Sequence, residues 1–105
     1  MRFRIHPEAN DEEDRGAEFY GERSFDLGLD FIAAVRSSYS LIREHPEQYS
    51  PAEDAPPKRN IRYFLLKRFP FRIIYWIRHS DEIAILAVAN TSRRPGYWKR
   101  RVKTI

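Results

Sequence analysis

The hydrophobic period of this chain changes once, near residue 60, and that change fixes its fold class. Between residues 25 and 45 the spacing is three and four: Leu27, Phe31, Val35, Ser38 and Ile42, widened by Ile32 and Tyr39. Such a stripe predicts an amphipathic helix of about five turns with one face on a core. After residue 60 the period falls to two. Ile61–Leu66, Phe71–Arg78 and Ile83–Asn90 read as strands, joined by turns at Arg68-Phe69-Pro70 and His79-Ser80-Asp81-Glu82. Turns this short predict an antiparallel meander. The last strand carries no charge inside it, so it is predicted to be central and covered.

The first half completes the pattern. Phe3 and Ile5 alternate with Arg2, Arg4 and His6 as a short first strand, and Pro7 suits the first turn of a helix. Ala9, Glu13, Gly16, Ala17 and Tyr20 mark a narrow face of mostly small residues, so this helix is predicted to lie close against a neighbour and to run to about Arg23. The acidic run Asp11-Glu12-Glu13-Asp14 favours the positive end of the helix dipole and reads as a solvated helix start. Ser24 or Asp26 can cap the second helix, and His45-Pro46 ends it. Residues 46–60 hold four prolines and read as a surface loop. The order β-α-α-β-β-β gives an α+β domain spanning residues 1–105, a helical hairpin packed on an antiparallel sheet. Leu27, Phe31, Val35, Ile73, Ile85 and Val88 are predicted to be buried together.

Composition removes several function classes. The chain of 105 residues has no cysteine, which excludes a disulfide scaffold, a zinc-thiolate site and a thiol nucleophile. His6, His45 and His79 fall in separate elements without carboxylates at ligand spacing, so neither a metal nor another cofactor is expected. There is no phosphate-cradling glycine loop and no nucleophile elbow. No apolar run approaches the roughly 18 residues of a membrane helix, and Met1-Arg2-Phe3-Arg4 has no apolar core behind it. The expectation is a soluble cytoplasmic protein that makes no membrane contact.

Charge is strongly polarised along the chain. Residues 1–57 carry six basic and thirteen acidic side chains, whereas residues 58–105 carry thirteen basic and only two acidic. A basic excess of that size attracts polyanions. In the Phe71–Arg78 strand, Phe71, Ile73, Tyr75 and Ile77 form an apolar row for the helix-covered side. Arg72, Ile74, Trp76 and Arg78 form the other row, predicted to lie on an uncovered face where arginines can hold phosphates beside an aromatic platform. The same row also suits a soluble edge, with Trp76 packed on arginine stems. Five cations surround Tyr97 and Trp98 in the segment Thr91–Arg101, and Pro95-Gly96 is a turn that sends both aromatics back toward the body. That interleaving fits single-stranded nucleic-acid contacts, and it equally fits aromatics that close one end of the core.

Several segments in order carry a family resemblance. They are His6-Pro7-Glu8-Ala9, Leu27-Gly28-Leu29-Asp30-Phe31, His45-Pro46-Glu47, Arg68-Phe69-Pro70-Phe71-Arg72-Ile73-Ile74-Tyr75, and Ala87-Val88-Ala89-Asn90 followed by Arg93-Arg94-Pro95-Gly96-Tyr97-Trp98. Together, over roughly residues 3–101, they resemble the RelE/ParE superfamily, the toxin halves of bacterial type II toxin–antitoxin pairs. The resemblance implies the same β-α-α-β-β-β fold and a cognate antitoxin that joins the toxin in a hetero-oligomer. Its RelE-like branch implies a metal-independent ribonuclease acting on messenger RNA at the ribosome, with Arg72, Arg93 and Tyr97 in catalytic positions. Lys67 and Arg68 in the basic turn, with Arg78, Arg94, Lys99 and Arg100, would then bind nucleic acid. Its ParE-like branch implies a non-enzymatic inhibitor of DNA gyrase. Both branches stay open on the sequence.

Overall fold

Ser24 sets the geometry of the first half. In the structure, a computed structural model that describes residues 1–79 and 81–105, this residue is extended (φ −163°, ψ 131°) between two helices. Its N–H donates to the Tyr20 carbonyl (3.0 Å) and closes α1, Pro7–Arg23. Its Oγ accepts from the Leu27 N–H (3.4 Å) and opens α2, Phe25–Glu44. Of the two capping residues the sequence allows, Ser24 takes the role, and a one-residue link forces α2 back along α1. Gly28 lets them touch through backbone: a Cβ there would lie 2.9 Å from Gly21 Cα and 3.0 Å from the Ala17 carbonyl. At the other end of α1, His6 is the N-cap, its Nδ1 accepting from the Glu8 N–H at 3.0 Å.

The strands are β1 (Arg2–Ile5), β2 (Ser50–Pro51), β3 (Asn60–Leu65), β4 (Phe71–Arg78) and β5 (Glu82–Asn90), in spatial order β1-β5-β4-β3-β2. β2 to β5 pair antiparallel as the meander requires. β1 joins parallel to β5, with Phe3 opposite Ile83 and Ile5 opposite Ile85, so the sheet is mixed. The long excursion through both helices and the meander is the crossover that a parallel neighbour needs. β2 is a two-residue strand inside the segment expected to be loop, and Ser80 of the expected β4–β5 turn lies outside the described residues.

The main core fills the space between the helices and the sheet. Phe31, Val35, Ile73, Ile85 and Val88 are buried in it as predicted, while Leu27 is only partly buried at its margin. The opposite face departs from expectation, because it is not uncovered. Gly96 (φ +75°) turns the chain back, and a short 3-10 helix at Lys99–Lys103 brings Trp98 over a second core of Ile61, Ile74, Leu86, Ala87 and Ala89. Trp98 is only 4% exposed. Leu86 and Ala87 both reach this core through a β-bulge, since Ile74 faces Ala87 while Tyr75 faces Ile85. In the row read as open, Arg72 is exposed, Ile74 is buried, and Trp76 and Arg78 are half-buried.

The acidic run also departs from its reading. Asp11 and Asp14 face solvent, but Glu12 and Glu13 are buried. Ala9, Glu12, Glu13 and Gly16 fall three and four positions apart, which places both carboxylates on the inward face of α1. Glu13 meets α2, accepting from Arg36 Nε (3.0 Å) and Nη2 (3.2 Å). Glu12 reaches across the end of the sheet.

Candidate functional site: a cationic cleft at the open end of the sheet

β1 is shorter than β5, and this mismatch organises the site. Pairing on that side ends where Ile5 faces Ile85, with the His6 N–H donating to the Ile85 carbonyl (2.9 Å). Beyond it the backbone of β5 lacks a strand partner on that edge, and buried peptide groups require one. Side chains supply it. Glu12 Oε1 accepts from the Val88 N–H at 3.0 Å, and Arg101 Nη1 donates to the Leu86 carbonyl at 3.0 Å. The two side chains also pair bidentately, Nη1 to Oε1 at 2.8 Å and Nη2 to Oε2 at 3.0 Å. Each is about nine-tenths buried.

Tyr97 completes this group by donating its hydroxyl to Glu12 Oε2 at 2.6 Å. Burial first, and the carboxylate partner second, push the phenol above its usual range, so it stays protonated at neutral pH and donates the hydrogen bond to Glu12. The Arg93 guanidinium lies 3.9 Å from the centre of the Tyr97 ring and that of Arg101 lies 5.1 Å away. His6 Nε2 lies 2.7 Å from Thr104 Oγ1 and ties the end of the described chain to the start of α1. Because Nδ1 accepts a backbone N–H, the imidazole is neutral and donates from Nε2.

Against this group lies a cleft of about 180 Å³. Arg72, Arg93, Arg94 and Tyr97 line it, with Glu53 and Asp54 of the β2–β3 connection. The three residues named as catalytic candidates therefore share one concavity. Arg72 is exposed and stacks on Tyr63, 4.8 Å from the ring centre. Asn90, at the end of β5, is occupied by a turn, its Oδ1 accepting from the Ser92 N–H (2.9 Å) and Oγ (2.7 Å). A second groove of about 590 Å³ adjoins the first through Arg93, Arg94 and Tyr97, and Arg100 and Lys103 line it.

The remaining candidates scatter. Lys67 is exposed at the β3–β4 turn, away from the cleft lining, and Arg68 there pairs with Asp30 of α2 at 3.3 Å. Arg78 is engaged by Glu82 and by the Ile105 carbonyl. Lys99 packs its stem beside Gly96. Among the described residues no three His, Cys, Asp or Glu side chains group as metal ligands.

The model of the family described as "ParE toxin of type II toxin-antitoxin system, parDE" matches residues 3–95. The chain belongs to the ParE toxin family. A solved structure described as "Chromosomal ParDE TA system from P. aeruginosa" is similar over 86% of this chain and 95% of that one. The TM-score is 0.72 at 18% identity, a likeness of fold. Among curated proteins no sequence matches. As a ParE toxin the chain is the toxin component of a type II pair, and an antitoxin is its partner. No helix among the described residues is long and apolar enough to cross a membrane.

Sequence reasoning selected Tyr97 but missed the two groups that hold it, Glu12 and Arg101. The available signal was the position of Glu12 between Ala9 and Gly16 on the small-residue face. A carboxylate placed there must be buried, and a buried carboxylate requires a cation.

Proposed function

We propose that this toxin arrests growth by binding DNA gyrase and catalyses no reaction itself. The observation that carries the reading is the hydrogen bond from Tyr97 to Glu12. A tyrosine that donates to a buried, arginine-paired carboxylate is committed to holding the fold. Using it for proton transfer at an RNA phosphate would break its bond to the carboxylate that caps the Val88 N–H at the open edge of β5. Glu53 and Asp54 add negative charge to the cleft that holds Arg72 and Arg93, which disfavours an incoming phosphodiester. Inhibition by binding needs neither group. Gyrase is cytoplasmic, and the reading carries that location with it. The toxin is neutralised as a hetero-oligomer with its antitoxin.

One observation favours a second reading. Arg72, Arg93 and Tyr97 line one cleft, the placement a ribosome-dependent messenger-RNA ribonuclease would use. There the guanidinium groups would stabilise charge developing on the scissile phosphate during attack by the 2′-hydroxyl. The deciding experiment adds purified toxin to gyrase with relaxed plasmid and, separately, to translating ribosomes. Loss of supercoiling at toxin amounts comparable to gyrase, with transcripts intact, is the expected outcome. Transcripts cut on the ribosome while gyrase remains active would replace the first reading by the second.

A further inference from the structure

The second half of the chain holds thirteen cations, and the structure neutralises them unevenly. Arg68, Arg78 and Arg101 are ion-paired. Arg93, Arg94, Arg100 and Lys103 have no ion pair among the described residues, are exposed, and line the 590 Å³ groove beside the 3-10 helix. Glu8 is the one acid in its lining, and it already lies 3.8 Å from Arg101. The groove is therefore a concave anion-attracting surface backed by a rigid floor, since Trp98, Arg101 and Thr104 pin this segment to the body.

The state of the aromatics decides what kind of polyanion fits. A site for single-stranded nucleic acid offers bare rings on which bases stack. On this side of the sheet the rings are taken. Tyr97 carries Arg93 and Arg101, Tyr63 carries Arg72, and Trp76 carries Arg59 and Arg78 at 4.9 and 5.1 Å. Trp98 is buried. What remains is fixed positive charge without a stacking platform, the chemistry that binds a phosphate backbone irrespective of sequence.

We propose that the groove formed by Arg93, Arg94, Arg100 and Lys103 binds the phosphate backbone of duplex DNA, so that the toxin engages gyrase together with its DNA. The proposal deepens the gyrase reading and rests on it for its biological setting, but its binding claim concerns DNA alone. Backbone binding of this type releases counterions, so the logarithm of affinity falls with that of salt by about 0.9 per phosphate contacted.

The test is fluorescence anisotropy with a labelled 20-base-pair DNA duplex across a salt series, using the full chain. Wild-type toxin is expected to bind in the micromolar range at low salt with a slope of about −3 to −4. The triple variant Arg94→Gln, Arg100→Gln, Lys103→Gln should flatten the slope by about 2 to 3. Arg23→Gln, at the far end of α1, should leave it unchanged. All four positions are exposed, so circular dichroism should report an intact fold. Absence of duplex binding, or an unchanged slope in the triple variant, overturns the proposal. So does tighter binding of single-stranded RNA of equal length, or of polyglutamate, than of duplex. Gyrase inhibition is scored separately: inhibition without duplex binding removes the groove and keeps the gyrase reading, and duplex binding without inhibition does the reverse.

Discussion

Replacing Glu12 by alanine removes four interactions at once, and their burial sets the cost. Arg101 loses a bidentate partner at 2.8 and 3.0 Å while its side chain stays about nine-tenths buried. Breaking a buried pair from one side costs roughly 3–5 kcal/mol, because the remaining charge is uncompensated. The orphaned Val88 N–H and Tyr97 hydroxyl fall within that figure, since they share the same carboxylate and such losses do not add. For a domain of this size the loss lowers the melting temperature by roughly 15–30 °C. The assay is urea unfolding followed by far-ultraviolet circular dichroism and by fluorescence, for which buried Trp98 reports on the second core. Two companions sharpen the test. Glu12→Ala combined with Arg101→Met removes the stranded charge and should recover at least about 1 kcal/mol relative to Glu12→Ala. Glu13→Ala should cost less than Glu12→Ala, because the side chain of its partner Arg36 is 60% exposed and water can solvate it. A Glu12→Ala loss below about 1 kcal/mol, or a double variant that simply sums its parents, refutes the reasoning.

Other expectations follow from the same geometry. Phe31 is fully buried among Tyr20, Phe69 and Phe71, so Phe31→Ala should cost roughly 3–5 kcal/mol in the same assay; a loss below about 1 kcal/mol would remove it from the core. Gly16→Ala puts a Cβ 2.5 Å from that ring, which these neighbours confine, and overpacking of this kind costs roughly 1–3 kcal/mol; unchanged stability would contradict the contact. His6 is depressed below its ordinary value, chiefly by burial, with Glu8 and Glu12 opposing and Arg101 reinforcing the shift. The unfolded chain thus binds the proton more readily, so the contribution of neutral His6 is present above pH about 6.5 and fades as pH falls below it. His6→Asn keeps a cap and should flatten stability between pH 7 and 5; an equal slope in both proteins would exclude His6 as the source. Salt should slow association with the antitoxin while dissociation changes little, as expected if charge mainly steers the encounter; a salt-insensitive association rate would discard that role for the basic half.

What the sequence made legible was whatever depends on local periodicity. The stripe from Phe31 to Ile42, the alternation through Phe71–Arg78 and the uncharged run of β5 placed the helices, the meander and the central strand. Three features escaped because they are set by tertiary pairing. β1 lies parallel to β5 although its four residues carry no mark of direction. Leu86 is extra in its strand, which sends Leu86 and Ala87 to one face against simple alternation. Glu12 reads as a surface acid within a run of four, and only the short length of β1, which leaves Val88 and Leu86 without ladder partners, gives it a reason to be inside. The cleft was legible in part. Arg72, Arg93 and Tyr97, singled out on the sequence, line one cleft, but whether Trp98 and Tyr97 stack on a ligand or close a core depends on a turn and a carboxylate that lie far apart in the chain.

The central claim, toxicity by binding rather than by phosphate chemistry, is tested most directly by growth arrest with Arg72→Ala expressed without antitoxin. The side chain is exposed and stacks on Tyr63 without an ion pair among the described residues, so the variant is expected to fold. If the toxin acts on gyrase by binding outside this position, Arg72→Ala arrests growth at the same expression level as the wild type. If the cleft cleaves RNA, loss of that guanidinium slows the reaction on the order of a hundredfold or more. A folded Arg72→Ala protein that permits normal growth would contradict the account.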